Sequence, residues 1–212
     1  GDLTQDGSKR TELYKNESVR KVAESESGSD FEDFLMSCEF RLEMRAPQPS
    51  ELARVAELIQ RTNQMNATLN RSDLSEIQRL FEDQDVTILI SKLGDKFGDY
   101  GIIGVIIARI NASIMSIQEL AFSCRAMGRK VEHCLIEELI GLADSEDVTD
   151  IEIDVTKTSR NNQIISTLEE IGFIESEIGP DGMATFQLEI DEISGRRFPP
   201  WFTLTGGIGD GG

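Results

Sequence analysis

Histidine is almost missing from this chain: His133 stands alone among 212 residues. A metal site built from imidazoles is disfavoured, and any Ser-His-Asp arrangement would have to use this one ring. Cysteine is scarce as well. Cys38, Cys124 and Cys134 are odd in number and lack CxxC spacing, which argues against a disulfide scaffold and against zinc. Long apolar runs are missing. The longest, Gly101 to Ala108, falls far short of the roughly 20 residues that cross a bilayer. The first residues are polar and charged where a secretion signal needs an apolar stretch. Positive charge is in deficit: 21 Lys and Arg face 39 Asp and Glu, a net charge of -18. Generic nucleic-acid binding needs a clustered positive field, so it is disfavoured. The expectation is a cytoplasmic, reduced chain with no metal, no membrane and no nucleic-acid partner. Its thiols are either buried or chemically used.

What is present is enough for one ordinary core, with 39% hydrophobic and 28% charged residues. Residues 1–37 read as a helical remnant and linker from an upstream domain. Leu13, Tyr14 and Val19 line one short face before Glu24-Ser25-Glu26-Ser27-Gly28-Ser29, and Phe31, Phe34 and Leu35 share helical spacing. Residues 38–191 carry the domain, and 192–212 read as a flexible Gly-rich tail.

Alternation of Phe40, Leu42 and Met44 with charges predicts a half-buried strand. Ser50 is an N-cap for a helix over 51–66, and a second helix follows Ser72. Three β-rich runs, 86–93, 102–110 and 113–122, have short turns between them and predict an antiparallel meander. The period then lengthens to that of a helix over 128–143. A strand over 148–155, a helix over 162–171 and strands over 172–178 and 184–190 follow. The order β-α-α-β-β-β-α-β-α-β-β is an α/β chain with a mixed sheet and helices on both faces. The strand-helix-strand crossover makes the fourth and fifth strands parallel neighbours.

Asp83-Gln84-Asp85-Val86-Thr87 matches the DxDxT nucleophile loop of haloacid-dehalogenase phosphatases. That chemistry needs the aspartates at the C-terminal end of a buried strand. Here they precede the apolar run, as in a solvated turn.

A second motif is Cys124-Arg125-Ala126-Met127-Gly128-Arg129-Lys130, between a strand and a helix. A Gly-bearing turn that opens a helix aims backbone N–H groups at an anion. Arg125, Arg129 and Lys130 add positive charge for a phosphate or pantetheine pyrophosphate. Those charges and a helix N-terminus also favour a thiolate at Cys124. The plainer reading is a buried cysteine that ends a strand, beside a basic helix start.

Arg125-x-x-Gly128, followed later by Asn161, a helix and Gly172-Phe173, resembles the acyl-CoA loop and second motif of the GNAT N-acetyltransferase fold. A longer match links several segments: Arg61-Thr62-Asn63-Gln64-Met65-Asn66, Asp95-Lys96-Phe97-Gly98-Asp99-Tyr100-Gly101, Ser123 to Arg129, Asn161 and Gly172-Phe173. Together they resemble the C-terminal part of FkbH-like proteins. Leu3-Thr4-Gln5-Asp6 through Arg10 and Tyr14 is similar to the stretch that joins this part to an upstream haloacid-dehalogenase-type phosphatase domain. The pattern departs at Lys130, where a small residue is usual, and at Met65, where Phe is usual.

This resemblance implies an acyltransferase of polyketide assembly. It would capture a glyceryl unit from 1,3-bisphosphoglycerate on an enzyme thiol and pass it as a thioester to an acyl carrier protein. Cys124 would be the nucleophile, the carrier's phosphopantetheine the acceptor, and a phosphatase domain a partner. No cofactor is required in the domain itself. CoA enters only in the alternative reading of a CoA-dependent acetyltransferase, against which Lys130 argues. A non-catalytic carrier-docking domain is the third reading.

Acyl transfer through a thiol needs a thiolate, an oxyanion stabiliser and a positioned acceptor. Arg125 and Arg129 suit a phosphate because a guanidinium fork matches its geometry. His133 lies two turns beyond Cys124 and reads either as a base or as a surface helix residue. Thr62, Asn63, Gln64 and Asn66 form an uncharged polar cluster that reads either as a binder of substrate hydroxyls or as a helix C-cap. Asp95 reads as turn chemistry. Asp99, Tyr100 and Asn161 read as supports for the site, and Cys38 and Cys134 as packing residues.

Overall fold

The computed structural model describes residues 31–179, 182–190 and 198–206, with 17, 18 and 21 from the N-terminal segment. The helical face expected at Leu13, Tyr14 and Val19, the linker after it and the joining stretch from Leu3 to Tyr14 lie outside the described residues.

The elements in chain order are α1 (Phe31–Ser37), β1 (Phe40–Arg45), α2 (Leu52–Arg61), α3 (Leu74–Phe81), β2 (Val86–Asp95), β3 (Gly98–Asn111) and β4 (Ile114–Phe122). They continue with α4 (Val131–Ser145), β5 (Asp150–Thr156), α5 (Asn162–Ile171), β6 (Ile174–Ile178), β7 (Met183–Glu189) and β8 (Phe202–Thr205). All eight strands form one sheet, in the order β6-β7-β5-β4-β3-β2-β1-β8. β1 to β4 pair antiparallel in succession, whereas β4 and β5, and β1 and β8, are parallel. The expected element order and the parallel pair are both present. No helix among the described residues is long and apolar enough to cross a membrane.

The central strands are apolar on both sides because both faces are covered. Ile88, Ile90, Val105 and Ile107 pack under α2 and α3. Leu89, Leu93, Ile106 and Ala108 pack under α1, α4 and α5. Amphipathic spacing supplies the helical side of each layer: Val55, Leu58 and Ile59 from α2, and Leu135, Leu139 and Ile140 from α4.

Several boundaries differ from the sequence reading. α1 sends Phe34 and Leu35 into the main core, so it packs with the domain instead of preceding it. Part of the expected flexible tail is strand β8, which pairs in parallel with β1, while Trp201 and Phe202 pack on the core. Apolar side chains among the glycines of that tail have a sheet edge to cover. α2 stops at Arg61 because Thr62 is extended and the residues after it are drawn into the sheet. α4 starts at Val131, since Gly128 and Lys130 are left-handed, with φ of 76° and 63°.

Candidate functional site

The site forms where β4 parts from β5. The two strands pair only from Ile114–Asp150 to Ile117–Ile153. At the next residue β4 bulges: Glu119 faces Ile107 and Ile117 faces Ala108, which leaves Gln118 as the extra residue. A bulge bends its strand, and β4 swings away from β5 to Phe122. Two diverging parallel strands leave unpaired edges on both sides of a fork.

The chain fills this fork itself. Ala67 N donates to Leu120 O at 3.1 Å, Phe122 N to Met65 O at 2.8 Å, and Thr156 N to Ala67 O at 3.1 Å. Asn66 bridges Ala121 in antiparallel sense. The segment alternates like a strand. Met65 and Ala67 join the core under α4 and α5, while Asn66 Nδ2 turns to α2 and donates to Ile59 O at 3.2 Å. Met65, Asn66 and Ala67 are all 0% exposed.

Two bulges in β3 aim groups at the turn after β4. The pairing of β2 with β3 skips Ile103 and then Tyr100. Ile103 O accepts from Ser123 N at 2.7 Å. Tyr100 O accepts from Arg125 Nη2 at 3.2 Å. Gly101, with φ of 70°, permits the second bulge. Tyr100 is buried, and its hydroxyl donates to Asp95 Oδ2 at 2.9 Å. Asp95 Oδ1 also accepts from Phe97 N and Gly98 N. Asp95 is thus a turn residue and an anchor for Tyr100. Asp99 accepts from Gly101 N at 2.8 Å.

Cys124 opens the turn as the first residue of a single 3-10 turn. It is exposed, whereas Cys38 and Cys134 are buried, and burial pushes the Cys134 thiol well up. The Cys124 Sγ lies 3.9 Å from Gln64 Oε1, within reach of a weak S–H donor. Gln64 and Asn63 are exposed at the rim of the fork. Thr62 and Asn66 are buried and bonded within the chain. Thr62 Oγ1 donates to Leu58 O at 2.7 Å, and Asn66 Oδ1 accepts from Leu69 N at 2.9 Å.

The basic residues divide in the same way. The Arg125 and Arg129 guanidinium carbons lie 6.0 and 5.9 Å from the Tyr100 ring centroid. Arg129 folds inward. Its Nη1 donates to Arg125 O and Met127 O, both at 3.1 Å, and its own carbonyl accepts from Trp201 Nε1 at 2.9 Å. Lys130 is exposed at the N-cap of α4. Gly128 faces open space, where the nearest atom to an added Cβ is 4.0 Å away on Phe31. The first-turn N–H groups of α4, which follow this turn, have no partner within the helix. Glu132, in that first turn, is 4% exposed and answers part of the helix dipole.

His133 is directed elsewhere. Its Nε2 lies 3.0 Å from Glu170 on α5, and its Nδ1 lies 3.4 Å from Glu132. Burial works to lower its pKa, but the Glu132 and Glu170 carboxylates outweigh that and hold it above the ordinary value. Among the described residues no hydrogen bond or ion pair joins His133 to Cys124. The DxDxT match lies in the α3–β2 turn. Asp83 accepts there from Asp85 N and pairs with Arg109 at 2.7 Å.

Two residues matter more than their sequence context suggested. Glu119 is a carboxylate inside an apolar strand, 1% exposed. It accepts from Ser72 N at 3.0 Å, Ser72 Oγ at 2.6 Å and Thr68 Oγ1 at 3.2 Å. A lone charge at an inward position of "SIQELAF" was the available signal. Asn161, 0% exposed, uses all its hydrogen-bonding capacity. It donates to Asn66 O and Thr156 O, and accepts from Thr158 N and Thr158 Oγ1.

No family model matches the sequence, and no curated protein sequence matches it. Solved structures do match. The ribosomal-protein-S18-alanine N-acetyltransferase of Escherichia coli superposes with a TM-score of 0.55 at 14% identity, over 74% of this chain and 98% of that one. The PaiA N-acetyltransferase of Thermoplasma acidophilum, solved with coenzyme A, gives 0.55 at 16% identity over 70% and 98%. The spermidine N-acetyltransferase of Vibrio cholerae, solved with CoA and spermine, gives 0.55 at 16% over 71% and 96%. These identities establish likeness of architecture: the mixed eight-stranded sheet, with its parallel β4–β5 fork, has the GNAT fold.

Proposed function

We propose that this chain is an acyltransferase domain that carries its acyl group as a thioester on Cys124. The observation that supports it most is the setting of that thiol. Cys124 is the exposed cysteine of the three, and it opens a turn with Arg125, Gly128 and Lys130 ahead of the α4 N-terminus. A thiolate needs access, nearby positive charge and N–H donors for a developing oxyanion. The turn supplies candidates for each.

The resemblance to FkbH-like proteins points to a glyceryl donor, 1,3-bisphosphoglycerate. The Cys124 thiolate attacks the acyl-phosphate carbonyl, the C–S bond forms, and the carbonyl C–O bond breaks. Phosphate leaves with the electron pair, and the thiol proton goes to solvent. Lys130, which is exposed, and Arg125, half-buried against Tyr100, are the candidates to hold the departing phosphate. Arg129 serves as a staple of the turn. A phosphatase domain removes the remaining phosphate, and the phosphopantetheine thiol of an acyl carrier protein takes the glyceryl group. Incubation with 1,3-bisphosphoglycerate should add one acyl unit to the intact mass, removable by hydroxylamine. Equal labelling of Cys124→Ala would refute the covalent role.

The likeness to N-acetyltransferases of the same fold favours a second reading, direct transfer from acetyl-CoA with no enzyme thioester. It predicts CoA binding at the Gly128 turn and activity that survives loss of Cys124.

A further inference from the structure

We infer that residues Met65 to Thr68 are a built-in occupant of the β4–β5 fork and act as a specificity element, closing the sheet to free acyl-CoA. The inference rests on the proposed acyl transfer at Cys124 and concerns which donors reach that thiol.

Where β4 and β5 diverge, each has a strand edge that the other does not pair. A pantetheine arm is a chain with two amide groups, and such a chain pairs with a strand edge as a peptide does. The fork is the interior place where β4 and β5 would offer such edges, and it ends two residues before Cys124. Here Leu120 O, Phe122 N and Thr156 N are already bonded to Met65 and Ala67. An incoming arm finds these three groups taken.

The occupant is also latched from several directions. Asn161 ties Asn66 O to Thr156 O. Glu119 collects Thr68 and Ser72 from beneath. Asn70 Nδ2 donates to the bulge carbonyl Gln118 O at 2.6 Å, and Arg71 Nη1 to Gln60 O at 2.6 Å. Leu69 and Arg71 both adopt φ near 56–57°, in the left-handed region. Such non-glycine residues persist only where surrounding contacts over-determine them. The loop is held in one shape at a conformational cost, and that shape fills the fork. Donors compatible with it reach Cys124 from the rim at Gln64. Those are small acyl phosphates, or a carrier whose arm docks outside the sheet.

The test uses the whole chain and coenzyme A as probe. Hydrogen exchange is followed at the Ala67, Phe122 and Thr156 amides by NMR. In the wild type, millimolar CoA should leave these rates unchanged within a factor of about two. In a Thr68→Val/Ser72→Ala variant, exchange at Ala67 should rise by about tenfold or more, and CoA should then shift the Leu120 to Phe122 amides. Saturable CoA shifts at these amides in the wild type would overturn the inference. So would a folded variant with an opened fork that still ignores CoA. If Glu119→Gln opens the fork where the double variant fails to fold, the same two outcomes apply to it. Cys124 acylation is read separately by intact mass. Unlabelled Cys124 with a silent fork defeats the thioester reading alone, and labelled Cys124 with a CoA-opened fork defeats this inference alone.

Discussion

Asn161 holds Asn66 in the sheet: its side-chain amide donates to the Asn66 carbonyl at 3.1 Å, across a separation of 95 residues. The same amide donates to Thr156 O at 2.9 Å. One buried side chain therefore joins the loop after α2, the end of β5 and the start of α5. Removing it as Asn161→Ala strands two carbonyls and the Thr158 N–H without partners. We expect a loss of about 2–3 kcal/mol in urea unfolding. Asn161→Asp cannot donate to either carbonyl and should be no better. Stability within experimental error of wild type would show that the loop is held by other contacts.

Lys130 occupies a left-handed position, with φ of 63° and ψ of 29°. A side chain there costs roughly 1–2 kcal/mol relative to glycine in the folded backbone. Part of that is offset because glycine gains freedom in the unfolded chain. Lys130→Gly should therefore raise stability by about 0.5–1 kcal/mol. It also makes the turn more like the CoA loop that the sequence resembles, so it is the fairest background in which to look for CoA binding. A destabilised Lys130→Gly would mean that contacts of the Lys130 side chain outweigh the strain of its backbone.

Ser91 and Gly104 sit opposite one another on β2 and β3. The Ser91 hydroxyl is buried with no hydrogen-bond partner. Ser91→Ala removes that unmet group and should stabilise by about 1 kcal/mol. A Cβ at Gly104 would fall 2.4 Å from Ser91 Oγ and 2.5 Å from Phe122 Cδ1. Gly104→Ala should destabilise by about 1–3 kcal/mol. Adding Ser91→Ala should rescue only part of it, since Phe122 is fully buried and cannot yield. Complete rescue would contradict the packing described.

His133 bridges Glu132 and Glu170, and its folded pKa is raised above 6.5. A raised pKa means that the folded state holds the proton more tightly than the unfolded chain. The stabilisation is complete below the unfolded value and fades as pH rises through the folded one. Wild type should lose stability relative to His133→Gln as pH rises from below 6.5 through the raised folded value. Glu170 is largely exposed, which limits the effect through solvent screening. Parallel pH profiles for the two proteins would show that the bridge is not formed.

The element order was legible because periodicity changes cleanly along the chain. Phe40, Leu42 and Met44 alternate, Val55, Leu58 and Ile59 recur at helical spacing, and the crossover dictates the parallel pair. The fork was not legible. Met65-Asn66-Ala67 has no strand signature of its own. It becomes one because the Gln118 bulge opens an edge that buried backbone must satisfy. The polar run Thr62 to Asn66 stood out in sequence, but composition could not tell the inward pair, Thr62 and Asn66, from the exposed pair, Asn63 and Gln64. Trp201 and Phe202 were hidden by the glycines around them. Their role follows from contact with Arg129 and Phe40, which no local pattern encodes.

The central claim is that Cys124 carries the acyl group. The direct measurement is intact mass of the whole chain after exposure to 1,3-bisphosphoglycerate, with peptide mapping of the labelled site. One hydroxylamine-labile 3-phosphoglyceryl adduct is expected, located on Cys124, absent from Cys124→Ala and unaffected by excess CoA. An unlabelled wild type, or an adduct that persists in Cys124→Ala, would contradict it.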